Sequence, residues 1–161
     1  YFNDEMGAAI MANMAESDAM LMGRVNYQEW AAFWPNQPAD DEMVARFNSI
    51  PKFVVSNTLT SADWNNSTII SGDVAAELAS LKEQPGKTIA MSGSATLVRW
   101  LLANDLIDQL HVMIHPIVVG SGQRLFEGPM DQLGLKLAGS QTFDTGVVYL
   151  TYERAADPAG A

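Results

Sequence analysis

Cysteine is absent from the 161 residues, which removes disulfide frameworks, thiolate nucleophiles and cysteine-based zinc sites together and suits a reducing compartment. Positive charge is scarce. Nine Lys and Arg stand against nineteen Asp and Glu, for a formal net charge of -10. Such a field repels phosphate backbones and anionic lipid, so neither nucleic acid nor a membrane surface is an expected partner. Any anionic ligand must find a local positive spot. No apolar run approaches the roughly 18 residues of a membrane span, and no basic segment followed by an apolar one opens the chain. The expectation is a soluble, cytoplasmic protein. Histidine occurs only twice and without carboxylates at ligand spacing, so no metal site is expected.

What is present is apolar: 48% of the residues are hydrophobic and 17% charged, the make-up of one globular domain with a substantial core. Met6, Ile10 and Met14 recur at helical spacing behind Asn3, a good capping residue, with Asp4 and Glu5 in the first turn. Ala19-Met20-Leu21-Met22 is a short, fully apolar run stopped by Gly23, the mark of a strand buried on both faces and hence of a parallel sheet. Helices are predicted over about 26–33 and 40–48, and strands over 52–56 and 67–71. Gly72-Asp73 then starts a helix whose Val74, Leu78 and Leu81 share a face. A strand over 87–91 and a helix over 96–103 follow. From Gln109 the pattern changes to β-prone stretches with no room for helices between them, over 110–119, 135–143 and 147–153. These read as antiparallel, with Thr145-Gly146 as the last hairpin turn. No repeat is evident, and 155–161 has the composition of a tail. The expectation is one α/β domain over 1–154 with an antiparallel edge.

Three times a strand ends in a glycine-containing turn and a helix follows: at Gly23-Arg24-Val25-Asn26, Ser71-Gly72-Asp73 and Ser92-Gly93-Ser94-Ala95-Thr96. Each exposes backbone N–H groups at the positive end of a helix, an arrangement that attracts phosphate. Ordinary βα connections also use glycine in this way. Asp73 disfavours phosphate at the second turn, whereas Arg24 beside the first is a fixed cation able to grip a phosphate bidentately.

Met22-Gly23-Arg24-Val25-Asn26-Tyr27, Ser56-Asn57-Thr58-Leu59, Met91-Ser92-Gly93-Ser94-Ala95-Thr96-Leu97 and His115-Pro116-Ile117-Val118-Val119-Gly120-Ser121-Gly122 resemble the successive signatures of the dihydrofolate-reductase-like superfamily. Their order and spacing are most similar to the reductase domain of bifunctional riboflavin-biosynthesis deaminase–reductases and its stand-alone bacterial relatives. The resemblance runs from about Tyr1 to Arg154. It implies a three-layer α/β domain with a mostly parallel central sheet and C-terminal antiparallel strands. It also implies an NADPH-dependent reductase acting on a small heterocycle, in the first instance a phosphoribosylamino-pyrimidine. The alternative of another class is a module of the same fold that binds a nucleotide or pterin without turnover.

Carried over position by position, the resemblance places Gly23, Arg24, Asn26, Gly93, Ser94, Ala95 and Thr96 at the phosphates of NADPH, and Ser56, Asn57 and Thr58 at its adenosine end. Two positions depart from the family pattern. Asn26 stands where relatives commonly have Thr, and a glycine-rich turn is reduced to Ser92-Gly93-Ser94. No acid occupies the place of the buried carboxylate on the first helix, near Gly7, so Asp4 and Glu5 are the nearest catalytic candidates. A solvated, dipole-complementing first turn is their other reading. His111 is the third candidate: a neutral imidazole on the strand after the glycine turn is suited to donate to a heterocycle. A satisfied histidine within a sheet is the competing reading, and His115 beside Pro116 reads as structural. Alternation puts Leu110, Val112 and Ile114 on one face and His111, Met113 and His115 on the other, with His111 expected between the Gly93 turn and the first helix. Trp30, Phe33 and Trp34 either cover a flat ring or fill the core.

Relatives begin with a strand ending in a Ser-Leu-Asp-Gly-like turn. This sequence opens instead at what resembles the first helix, so the natural N-terminus and part of the site are expected to lie outside it. A homodimer is expected, because relatives commonly associate through the C-terminal strands. Val147, Tyr149 and Thr151 alternate here with Val148, Leu150 and Tyr152, leaving apolar groups on both faces.

Overall fold

In β1 (Ser17–Gly23), Met20 and Met22 are buried with one set of residues and Leu21 with another, as a strand covered on both sides requires. The computed structural model describes residues 1–128 and 131–155. Within them α1 (Asp4–Ala15) precedes β1, and α2 (Arg24–Phe33), a 3-10 turn at Trp34–Asn36 and α3 (Glu42–Ser49) follow. Next come β2 (Lys52–Val55), β3 (Ser67–Ile70), α4 (Val74–Glu83), β4 (Thr88–Ala90) and α5 (Ala95–Ala103). The chain then runs through β5 (Gln109–Ile114), β6 (Leu135–Thr142) and β7 (Val148–Arg154).

The parallel and antiparallel strands form two separate sheets, ordered β3-β2-β1-β4 and β5-β7-β6. All pairs in the first are parallel and all pairs in the second antiparallel. Two helices hold the sheets in one layer. On one side Met14 of α1 packs with Met20, Met22, Phe47 and Val54 of the parallel sheet's cluster, while Met6 packs with Phe143 and Val147 against the antiparallel sheet. On the other side Leu97 and Leu101 of α5 pack with Leu21, Ile70 and Leu78, while Val98 and Leu102 reach Leu110. The result is the expected three-layer α/β arrangement, with α4 and α5 on one face and α1, α2 and α3 on the other.

Boundaries differ from expectation where backbone donors run out. The strand predicted over 110–119 stops at Ile114, because Pro116 has no N–H for a ladder. The chain turns there, with Ile117 N donating to His115 O at 2.8 Å, and leaves Val118 98% exposed. The Thr145-Gly146 hairpin turn is present, Gly146 taking a φ of 81° that costs glycine little. Of the expected tail at 155–161, residues 156–161 lie outside the described residues.

Among the described residues three polar side chains are buried, those of Ser17, Lys52 and Ser56. Lys52 of β2 is fully buried, and its Nζ donates to Ile50 O at 2.8 Å and Asn65 O at 3.0 Å, with Asn48 O at 3.4 Å. The ammonium also lies 4.2 Å from the centre of a Trp64 ring, a cation–π contact. Burial lowers its pKa from 10.5 to about 8. Lys52 thereby ties the end of α3 to the loop before β3.

Candidate functional site

Side-chain oxygens cap the N-termini of three helices. Asn3 accepts from Met6 N in α1, Asp41 from Met43 N and Val44 N in α3, and Asp73 from Ala76 N in α4. Each also carries an acid in its first turn. The starts of α2 and α5 are different. Gly23 and Ser94 stand at their N-caps, no side chain caps either helix, and neither has an acid in its first turn. Their leading N–H groups and positive dipole ends therefore carry no side-chain counter-charge of their own.

These two ends lie side by side because β1 and β4 are neighbours in the parallel sheet and both helices start from the carboxyl ends of those strands. Gly23 N donates to Ser94 Oγ at 2.9 Å. A Cβ on Gly23 would sit 3.0 Å from that oxygen, so only glycine lets the turns approach this closely. Gly93 and Ser94 have φ of 77° and 61°, two consecutive residues in the left-handed region between β4 and α5, where glycine at the first costs little. Asn26 joins the turns. With its amide oriented to satisfy both ends, Nδ2 donates to Ser92 O at 2.9 Å and Oδ1 accepts from Trp30 Nε1 at 3.1 Å. Ala95 and Thr96 form the first turn of α5, and Thr96 Oγ1 accepts from Arg99 at 3.3 Å. Arg24 is exposed at the start of α2, where it donates to Gln28 at 3.0 Å.

The Ser56-Asn57-Thr58 segment leaves β2 at the same edge of the sheet. Ser56 is buried, and its Oγ accepts from Thr58 N at 3.1 Å and Leu59 N at 2.9 Å. Asn57 Oδ1 accepts from Gly72 N at 3.2 Å. The three residues thus shape the loop and join it to the turn after β3. The ten cofactor candidates all fall along the carboxyl edge of the parallel strands, the place where open α/β sheets bind ligands.

The catalytic candidates separate. His111 lies opposite Leu110 and Val112, on a face of the antiparallel sheet that α1 also packs against, and its Nδ1 is 2.5 Å from Tyr149 Oη and 3.3 Å from Thr151 Oγ1. Partial burial moves its pKa below the ordinary imidazole value, which favours the neutral ring. Asn13 of α1 donates to Tyr149 Oη at 2.6 Å. The hydrogen bonds of His111 go to β7, and none goes to the turn at Gly93. Glu5 accepts from Gln141 Nε2 at 3.5 Å and Asp144 N at 3.3 Å, fastening α1 to the last hairpin, while Asp4 is exposed on the same turn. His115 lies edge-on to Tyr1, with ring centres 6.1 Å apart. Trp30 packs edge-on and Trp34 at a tilt against Phe47 in the core, and Phe33 is exposed.

Sequence reasoning did not connect Asn13 or Tyr149 with His111. Alternation had singled out Tyr149 only for a sheet face, and the signal was available: with β5 and β7 antiparallel, the residue opposite Met113 is Tyr149, one step diagonal from His111. Among the described residues no cluster of His, Asp and Glu is suited to a metal, and no helix is long and apolar enough to cross a membrane.

Compared with known proteins, residues 3–149 match the family model described as the RibD C-terminal domain. The uncharacterized protein YyaP of Bacillus subtilis (strain 168) is 32% identical over 138 residues, 84% of this chain and 73% of YyaP. Among solved structures, a candidate riboflavin biosynthesis protein of Shewanella sp. PV-4 is 24% identical with a TM-score of 0.73, covering 91% of this chain and 78% of that one. Acinetobacter baumannii RibD is 17% identical with a TM-score of 0.62, covering 96% of this chain and 51% of RibD.

Proposed function

The chain belongs to the RibD C-terminal domain family, and on that premise we propose that it is an NADPH-dependent reductase acting on a small heterocyclic substrate. A phosphoribosylamino-pyrimidine is the first compound to test. The observation that carries the reading is the pair of adjoining helix N-termini at Gly23 and Ser94, without acids or side-chain caps in a protein of charge -10. These residues fit an anionic dinucleotide: two sets of backbone donors converge, glycine at 23 and 93 admits close approach, and Arg24 stands beside them with a bidentate fork. When bound, NADPH would supply a hydride, which is the cofactor's chemistry. The protein's own work is placement. Asn26 and Ser94 keep the turns in register, Ser56, Asn57 and Thr58 shape the adenosine-side loop, and His111 donates from a neutral imidazole to the substrate. Glu5 and Asp4, at the start of α1, are the remaining acid candidates, with Glu5 also anchoring the hairpin.

The test is a titration of NADPH and NADH followed by cofactor fluorescence, then a search for oxidation with pyrimidines and pterins. NADPH should bind more tightly than NADH. Arg24→Ala should weaken NADPH by about 1.5–3 kcal/mol, roughly 10- to 150-fold, and leave NADH nearly unchanged. Equal losses for both would remove Arg24 from the 2′-phosphate, binding without turnover would make the chain a binding module, and no binding would refute the reading.

A homodimer belongs to the same proposal. Val112, Ile114, Phe126, Leu135, Leu150 and Tyr152 border an open apolar hollow of about 320 Å³ on the α5 side of the antiparallel sheet. Ile117, Val118 and Val119, which follow β5 in the chain, are exposed apolar residues as well. A second copy is the cover this surface suits.

A further inference from the structure

Tyr149 is held on three sides. Its ring lies between those of Phe143 and His111, with centres 6.3 and 5.6 Å away, and its Oη receives the Asn13 amide at 2.6 Å. A phenol has one proton and accepts through its lone pairs. With Asn13 Nδ2 donating into the oxygen, the phenolic proton has, among the described residues, one acceptor within reach, His111 Nδ1 at 2.5 Å. Thr151, directly opposite His111 in the ladder, reaches the same nitrogen at a longer 3.3 Å. Neutral imidazole carries one N–H, and a nitrogen that accepts a hydrogen bond cannot also hold it. The proton must then reside on Nε2.

We propose that Asn13 and Tyr149 are a positioning pair that fixes His111 as its Nε2–H tautomer, so that the ring presents an uncharged donor to an acceptor oxygen or nitrogen of the substrate. The direction runs from the α1 amide through the phenol to the imidazole, and reversing the polarity of the first link reverses the last. That His111 faces substrate rests on the reductase reading. The tautomer does not.

The experiment reads imidazole nitrogen shifts by ¹⁵N NMR on the uniformly labelled chain at a pH where the ring is neutral. A His115→Gln variant assigns the two histidines. Wild-type protein should show a pyridine-like Nδ1 and a pyrrole-like Nε2. Asn13→Asp, nearly isosteric, replaces a donor by an acceptor, draws the phenolic proton to itself and should invert the two shifts. Asn13→Gln, which keeps a donor amide, should preserve the wild-type pattern, and Tyr149→Phe should give a mixture. An Nδ1–H tautomer in the wild type, or an unchanged pattern in a folded Asn13→Asp variant, overturns the proposal. Because these spectra need neither cofactor nor substrate, they stand apart from the reductase reading: loss of NADPH binding would leave them intact. With turnover in hand, Asn13→Asp and Tyr149→Phe should lower kcat tenfold or more while the Kd for NADPH stays within twofold. The reverse split would place the pair at the cofactor.

Discussion

Replacing Gly23 by Ala adds one methyl group where the two helix starts meet. The backbone there has φ -82° and ψ 158°, which any residue adopts, so no conformational strain enters. Steric room decides the outcome. The new Cβ would lie 3.0 Å from Ser94 Oγ, 3.3 Å from Ser94 Cβ and 3.8 Å from Leu97 Cβ. Relief by a few tenths of an ångström moves the start of α5 away from β1, since all three of these atoms belong to its cap and first turn. Overpacking of this kind costs about 1–3 kcal/mol. A less flexible unfolded chain offsets about 0.4–1 kcal/mol. The expected net loss of stability is about 1–2 kcal/mol. Cofactor affinity should fall as well, because the two helix starts proposed to meet the phosphates are pushed apart. NADPH titration by fluorescence together with a thermal melt measures both. Gly7→Ala is the matched control: it lies within α1, where a Cβ meets only Phe2 side-chain carbons at 3.4 Å. It should gain about 0.5–1 kcal/mol in stability and leave affinity unchanged. A Gly23→Ala variant with unchanged affinity would refute the idea that contact between the turns sets the site.

Two further outcomes follow from side chains already described. Lys52→Met leaves the carbonyls of Ile50 and Asn65 without their close donor and should lower stability at pH 7 by about 2 kcal/mol, the carbonyl loss exceeding the relief of a buried charge. Its pH dependence has a definite sign. With a folded pKa near 8 against 10.5, the unfolded chain binds more protons between those values, so the wild type should gain stability over the Lys52→Met variant from pH 7.5 to 9.5, by roughly 1–2 kcal/mol in chemical melts. Parallel curves for the two proteins would show an ordinary lysine. For the dimer, light scattering at micromolar concentration should give twice the chain mass, and Ile114→Glu, in the open hollow, should halve it; a monomeric wild type would end that reading.

The parts of the fold legible in the sequence were those with short-range causes. The Met6, Ile10 and Met14 spacing marked α1, the unbroken apolar run into Gly23 marked a central strand, and Asp73 marked the start of α4. The glycine turns before α2 and α5 were also legible, since Gly23 and Gly93 are local signals. Three features were not. Lys52 opens a predicted strand, and nothing local shows that the Asn65 carbonyl, 13 positions away, is brought to its ammonium. The separation into two sheets depends on α1 and α5 spanning them, which no local pattern records. Tyr149 reaches His111 only once β5 and β7 are in register, 38 residues apart in sequence.

The span of α1 across both sheets has a consequence for how the chain folds. Its anchors on the antiparallel side come from the far end of the sequence: Met6 packs on Phe143 and Val147, Glu5 accepts from Asp144 N and Asn13 donates to Tyr149 Oη, 139 and 136 residues apart. During synthesis the first helix emerges long before the strands that cover it, so Met6 and Ala9 must wait exposed until β7 is complete. Loop closure over that distance precedes its reward, which makes the last hairpin the step that seals the first helix.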